Sequence, residues 1–311
     1  MIVSASYKTD IPAFYGAWFR NRLAAGHARV VNPYGGAPFT VPLGPERADA
    51  FVFWTRNAGP FLDTLDLLAA EKRPFMVQMT VTGYPRALER SVIDTDRAVA
   101  QIREIARRFG ARSVVWRYDP VLLTDVTPAD FHLRSMTALA AALAASVDEV
   151  VLSFATIYRK TGANLRRLER DAGIAWHDPP ASEKRALLAR LAEIAADRGI
   201  RPSLCAQPDL LVPGLDPAAC IDIGRLSDVA GRAIGAREKG NRPGCLCAES
   251  RDIGAYDSCP HGCLYCYAVG QPETAKRKMR AHDPDGEFLF PPSGAAVGAR
   301  PASQEKRSPP A

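Results

Sequence analysis

Six short apolar runs, each followed by a longer stretch, constrain this chain more than any other feature. The runs are Ile2–Ser6, Ala50–Trp54, Phe75–Thr80, Ser113–Tyr118, Glu149–Phe154 and Arg201–Ala206. Each is rich in Val, Ile, Phe or Leu, and most are apolar throughout, the pattern of parallel strands buried on both faces. Between them Pro12–Ala25, Pro60–Glu71, Asp96–Phe109, Pro128–Ala145 and Ser182–Arg198 read as helices. Pro12, Pro60 and Pro128 suit a first helical turn, and Gly110 and Gly199 suit a helix end. Such alternation predicts an α/β fold with helical crossovers between parallel strands. No GxGxxG turn follows any strand. The expectation is therefore a parallel (β/α) barrel or partial barrel of about six repeats over residues 1–230. A Cys-rich segment, 231–285, would cap it with no element longer than a turn, and a Pro/Ala/Ser-rich stretch, 286–311, reads as disordered.

In barrels of this kind chemistry collects where strands end. Here those ends are polar: Ser6, Lys8, Thr9 and Asp10, then Thr55 and Asn57, Gln78, Thr80 and Thr82, Arg117 and Asp119 in WRYDP, and Ser153. A shared cavity would explain them together, which makes Lys8, Asp10, Asn57, Gln78, Arg117 and Asp119 catalytic candidates. Each also has a structural reading: Asp10 precedes Ile11-Pro12 as an N-cap would, and Arg117 with Asp119 would brace a strand end.

With 47% hydrophobic residues the chain can bury a sizeable core, and its net charge of +6 favours a solvated surface or an anionic ligand over a nucleic-acid footprint. The start, MIVSASYKTDIPAFYGAW, lacks the pattern of a secretory signal, and no apolar run approaches the roughly 20 residues of a membrane span. A cytoplasmic protein with no membrane partner is expected. Seven cysteines, five of them between Cys245 and Cys266, do not read as a disulfide framework. In a reducing compartment, clustered cysteines mean metal or catalysis more often than cross-links.

Cys259, Cys263 and Cys266 stand in CPHGCLYC, spaced C-x3-C-x2-C with Tyr265 before the last. The loop is short enough for three thiolates to converge on one inorganic centre. Three ligands on a four-iron, four-sulfur cluster would leave one iron open. Zinc is the alternative: Cys263 and Cys266 would form one knuckle and Cys245 and Cys247 another, leaving Cys259 over, or His261 would replace a thiol. His27, His132, His177 and His282 read as surface or helix residues. Cys205, Cys220, Cys245 and Cys247 are enough to fill a second iron–sulfur cluster or a closed zinc site, although Cys205 and Cys220 also read as small core residues.

The string CPHGCLYCYA resembles the cluster loop of the radical S-adenosylmethionine superfamily, C-x3-C-x-aromatic-C. HGCLYCYA is most similar to its spore photoproduct lyase-like branch. Through about residue 270 the chain resembles a bacterial and archaeal domain-of-unknown-function family, number eighteen-forty-eight. The stretches SYKTDIPAFYGAWFRNRL, FVFWTRN, TVTGYP, VVWRYDP, LSF and CLCAESRDIGAYDSCPHGCLYCYA carry that likeness. The superfamily resemblance implies a four-iron, four-sulfur cluster on Cys259, Cys263 and Cys266, with S-adenosyl-L-methionine on the open iron and Tyr265 against its adenine. It also implies a flavodoxin- or ferredoxin-like electron donor. The substrate stays open, nucleic acid among the options. Ordinary members carry this loop after their first barrel strand, whereas here it follows the last expected strand. The resemblance thus implies a circularly permuted fold or a separate metal-binding appendage. A non-catalytic zinc-binding or electron-carrying module is the alternative to an enzyme.

Overall fold

In the computed structural model, which describes residues 1–292 other than Tyr34, all six expected runs are strands of one parallel sheet. The sheet has eight strands: β1 (Ile2–Ser4), β2 (Ala50–Thr55), β3 (Phe75–Thr80), β4 (Val114–Val121), β5 (Glu149–Phe154), β6 (Arg201–Cys205), β7 (Asp216–Ala218) and β8 (Ser250–Asp252). Their order across the sheet is β8-β1-β2-β3-β4-β5-β6-β7, every neighbour parallel. The C-terminal strand therefore lies beside the N-terminal one, with Ile2 opposite Ser250 and Ser4 opposite Asp252.

The expected barrel does not close: among the described residues, β7 and β8 each pair on one side only. Both are three residues long, and Pro217 lacks the N–H that a further ladder would use. The result is an open α/β sheet flanked by helices, with two more strands than the sequence periodicity predicts.

Alternation along the strands divides two apolar layers. Val3, Phe51, Phe53, Val77, Met79, Trp116, Tyr118, Val150, Leu152 and Leu204 face the main core shared with the helices. Ile2, Ala50, Val52, Met76, Val115 and Val151 face the other way. The helices on the first side are α1 (Ile11–Phe14), α2 (Gly16–Ala24), α3 (Leu62–Ala70), α4 (Thr95–Phe109), α5 (Ala129–Leu143) and α7 (Ala181–Ala196), while α6 (Arg159–Ala172) buries Leu165 and Leu168 in a separate cluster with Tyr84, Leu88, Leu264 and Tyr265. α4 shows why they form: Ala98, Val99, Ile102 and Ile105 make one buried stripe, and Gly110 ends the helix at φ +87.

The second face is covered by α8 (Ile223–Ala230) and the chain on either side of it, through Ile221, Leu226, Ile234 and Ala248. Arg225 of α8 is 1% exposed and bonds Glu149 at 2.7 Å and Asp148 at 2.8 Å, closing the end where the strands begin. Toward the strands' C-terminal ends this same face turns polar, through Ser6, Gln78, Arg117 and Ser153.

The segment 231–285 contains two elements, contrary to the expectation of turns alone: β8 and α9 (Pro272–Arg280). Residues 286–292, expected to be disordered, pack on α2. Trp18 donates to the Gly286 carbonyl at 2.9 Å, and Leu289 is buried. The rest of that expected tail, 293–311, lies outside the described residues. Among those described, no helix is long and apolar enough to cross a membrane.

Candidate metal centre

β8 positions the cysteine loop. Ile253 N bonds the Ser4 carbonyl at 3.1 Å, so the chain leaves the sheet at the polar ends of β8 and β1. Asp252 anchors this exit: Ser6 donates to both carboxylate oxygens at 2.9 Å, Gly254 N at 2.7 Å and Tyr7 N at 3.2 Å, and Lys8 Nζ lies 3.4 Å away. Burial pushes this carboxyl up, with Lys8 opposing it. Gly254 is required here, because a Cβ would fall 1.9 Å from Ser6 Oγ.

Three elements clamp the loop itself. From the chain between β3 and α4, Leu88 accepts from Leu264 N at 3.0 Å, and Ser91 N donates to the His261 carbonyl at 2.9 Å. From α6, Lys160 bonds Asp257 at 2.7 Å, Thr161 the Tyr265 carbonyl at 3.3 Å, and Asn164 the Val269 carbonyl at 3.0 Å. Tyr15, between α1 and α2, donates to the Ser258 carbonyl at 2.6 Å. Asp10 caps α1 by accepting from Ala13 N at 2.9 Å, as its position predicts. Its second oxygen takes Arg56 N and His261 Nε2, both at 2.8 Å. His261 Nδ1 faces the Ser91 carbonyl at 3.4 Å, so both ring nitrogens have protein partners.

Cys259, Cys263 and Cys266 are each half-buried, with protein packed densely around them. Burial pushes all three up, Cys263 to about 12, and Cys259 is raised further by Asp10 and by the other two sulfurs. Mutual repulsion of that kind places the three within electrostatic reach of one another. Backbone N–H groups already point at sulfur: Ala268 N reaches Cys266 Sγ at 3.3 Å. Thiolates with backbone donors, raised in energy until a cation neutralises them, are the donor set an iron–sulfur cluster uses. Among the described residues no group of three or more His, Cys, Asp or Glu side chains is set to hold a single metal ion as it stands.

Beside the cysteine loop lies a buried ion pair that the sequence did not reveal. Arg56 donates to Glu89 at 2.7 Å, Thr82 donates to the same oxygen at 2.8 Å, and the Tyr265 hydroxyl bonds both Arg56 and Glu89. The Tyr265 ring, the expected adenine contact, is 8% exposed and meets Tyr84 edge-on at 5.7 Å. Tyr267, two residues on, is 45% exposed and bonds the Tyr7 carbonyl.

The other candidates separate. Asn57 accepts from Gln101 on α4 at 2.8 Å and from Gly59 N at 3.3 Å, which makes it a turn residue on the helical side. Gln78, Arg117 and Asp119 do share the polar end of the sheet, but with the other four cysteines. Gln78 Nε2 bonds the Cys220 carbonyl at 2.9 Å, and Arg117 Nη1 reaches Cys220 Sγ at 2.8 Å and Gln78 Oε1 at 3.2 Å. Asp119 pairs with Arg117; burial pushes its carboxyl up, and Arg117, Ser153 and Arg242 together more than offset it. Cys205, Cys220, Cys245 and Cys247 come together here, apart from the first three. Among the described residues none of the seven cysteines is in a disulfide. A groove of about 620 Å³ between α4 and α5, lined by Arg103, Phe131 and Arg134 among others, touches neither cysteine group.

A family model described as a domain of unknown function (DUF1848) matches residues 2–268. No curated protein matches the chain, and no solved structure matches it.

Proposed function

We propose that this chain, which belongs to the DUF1848 family, is a radical S-adenosylmethionine enzyme with a permuted sheet. One observation carries this reading: β8 seated beside β1. Read across the sheet, β8 is the first strand, and β1 through β7 follow in chain order. The cysteine loop thus opens from the spatially first strand, at the polar end of the sheet. That is the position from which the superfamily it resembles presents its cluster.

The Cys-rich C-terminal region is compatible with metal binding, and the donor set favours a cluster over zinc. His261 has both nitrogens engaged, one by Asp10 at 2.8 Å, so it does not stand ready as a fourth ligand. When bound, a cluster held by Cys259, Cys263 and Cys266 supplies an electron for reductive cleavage of S-adenosyl-L-methionine and hydrogen abstraction by the resulting 5′-deoxyadenosyl group. The chain's own part is positioning and shelter. Asp10, through His261, and Glu89, through Arg56 and Tyr265, fix the loop from two sides. The backbone donors at Cys266 tune sulfur. Lys8, Tyr7 and Tyr267 line the approach over β8, where they would bind and orient a polar ligand while the aromatic rings exclude water. A flavodoxin- or ferredoxin-like donor would reduce the centre.

The test is anaerobic reconstitution with iron and sulfide, reduction, and addition of S-adenosyl-L-methionine. The reading expects 5′-deoxyadenosine from the natural chain and none from Cys263→Ala. A colourless zinc protein, or a reduced iron–sulfur protein that yields no 5′-deoxyadenosine, would overturn it in favour of a structural or electron-carrying module.

A further inference from the structure

The fold gathers four cysteines that the chain scatters over 43 positions, from Cys205 to Cys247. Cys205 ends β6, Cys220 follows the neighbouring β7, and Cys245 and Cys247 lie on the strap that crosses the inner face before β8. Cys205 Sγ and Cys220 Sγ are 3.4 Å apart. Cys205, Cys220 and Cys247 are buried in one cluster on this face of the sheet, and Cys245 packs against it. We propose that these four cysteines form a second, mononuclear metal site that takes a single zinc ion. This proposal stands apart from the reading of the first centre.

Three observations carry it. The first is spacing. Zinc–sulfur bonds of about 2.3 Å in tetrahedral array put the sulfurs about 3.8 Å from one another. Cys205 and Cys220, with sulfurs 3.4 Å apart, suit one shared ion. A four-iron cube places each thiolate on a different corner, and its sulfurs diverge well beyond contact. The second is charge. Four thiolates around a dication are net negative, and two guanidiniums meet the group: Arg117 Nη1 at 2.8 Å from Cys220 Sγ, and Arg242 Nη2 at 3.6 Å from Cys205 Sγ. Arg117 is only 5% exposed, with Asp119 on its other edge. The third is what the strap lacks. Among the described residues, 231–249 contains no helix or strand, yet Cys247 is 4% exposed and Ala248 3%. An ion shared between strap and sheet would hold it there without a large core.

As the side chains stand they do not surround a single point. Zinc binding would have to draw the four side chains into a shell. Binding exchanges four S–H protons, released to solvent, for four zinc–sulfur bonds, and no electron is transferred.

The test uses the full chain with Cys259, Cys263 and Cys266 all replaced by Ala, which removes the first centre's ligands and leaves the second untouched. Purified from zinc-replete medium, this variant should carry about one zinc per chain and no acid-labile sulfide. Exchanged with Co²⁺, it should show the intense visible bands of a tetrahedral cobalt–thiolate site. Adding Cys245→Ala should abolish both. Cys245→Ala alone should lose zinc while keeping iron at the first centre, which also shows that the variant folds. Four irons with sulfide in the triple variant would overturn the proposal in favour of a second cluster. A Cys205–Cys220 disulfide, or four free thiols with no metal, would overturn it outright. Failure of the first-centre reading would instead appear as missing iron in the natural chain, with the zinc unchanged.

Discussion

Replacing Glu89 by Ala isolates the buried pair that braces the cysteine loop. Glu89 has 6% and Arg56 11% of its side chain exposed, and Glu89 accepts from Arg56, Thr82 and Tyr265 at one oxygen. The variant leaves the guanidinium buried, with its main counter-charge gone. Uncompensated charges of this sort cost about 3–5 kcal/mol. Unfolding entropy is about 2.1 cal/mol/K per residue, or roughly 0.65 kcal/mol/K over the 311-residue chain. The expected fall in Tm is therefore roughly 5–8 °C, read by calorimetry or dye fluorescence on the metal-free protein. The double variant R56M/E89M, which removes both charges and fills the space with apolar atoms, should recover most of that loss. An E89A protein whose Tm stays within about one degree of the natural chain would refute the argument. So would a double variant as unstable as the single one.

Two further predictions follow from local geometry. Burial pushes His132 down to about 4, where Tyr118 OH reaches Nδ1 at 3.0 Å and Nε2 lies 3.1 Å from the Leu122 carbonyl, so the ring is held neutral. The unfolded chain takes up this proton near pH 6.5 and the folded one only near 4. Stability from this group is thus full above 6.5 and drains away as pH falls toward 4, by about 3 kcal/mol in total. Urea midpoints of the natural chain should fall across that window more steeply than those of His132→Gln; parallel curves would contradict the assignment. Gly254→Ala drives a methyl into Ser6 and should detach the Asp252 anchor, lowering metal retention more than it lowers helix content. Unchanged iron content in that variant would show that the exit from β8 does not position the loop.

The sequence made the centre of the sheet legible because its strands are apolar on both faces, as in Phe51, Val52 and Phe53 or Val150, Val151 and Leu152. It hid the edges. β7 reads Asp-Pro-Ala and β8 reads Ser-Arg-Asp, each paired along one side only and too short and polar to show periodicity. α6 was equally obscured: its buried residues are Thr161, Gly162, Asn164, Leu165 and Leu168, only two of them large and apolar because Thr161 and Asn164 bond the cysteine loop. Among the histidines, His132 sits on a helix as read, but it is fully buried rather than at the surface. Spacing alone marked Cys259, Cys263 and Cys266. Cys205, Cys220, Cys245 and Cys247 become one group only because β6 and β7 pair and the strap returns across them. Arg56 and Glu89, 33 residues apart, left no signal in the sequence at all.

The most direct measurement is electron paramagnetic resonance of the reduced, reconstituted protein with and without S-adenosyl-L-methionine, alongside iron and sulfide analysis. The account predicts about four irons and four sulfides on Cys259, Cys263 and Cys266, and a reduced-cluster signal that changes when the ligand reaches the open iron. A signal unaltered by the ligand, or a first centre that holds zinc without sulfide, would contradict it.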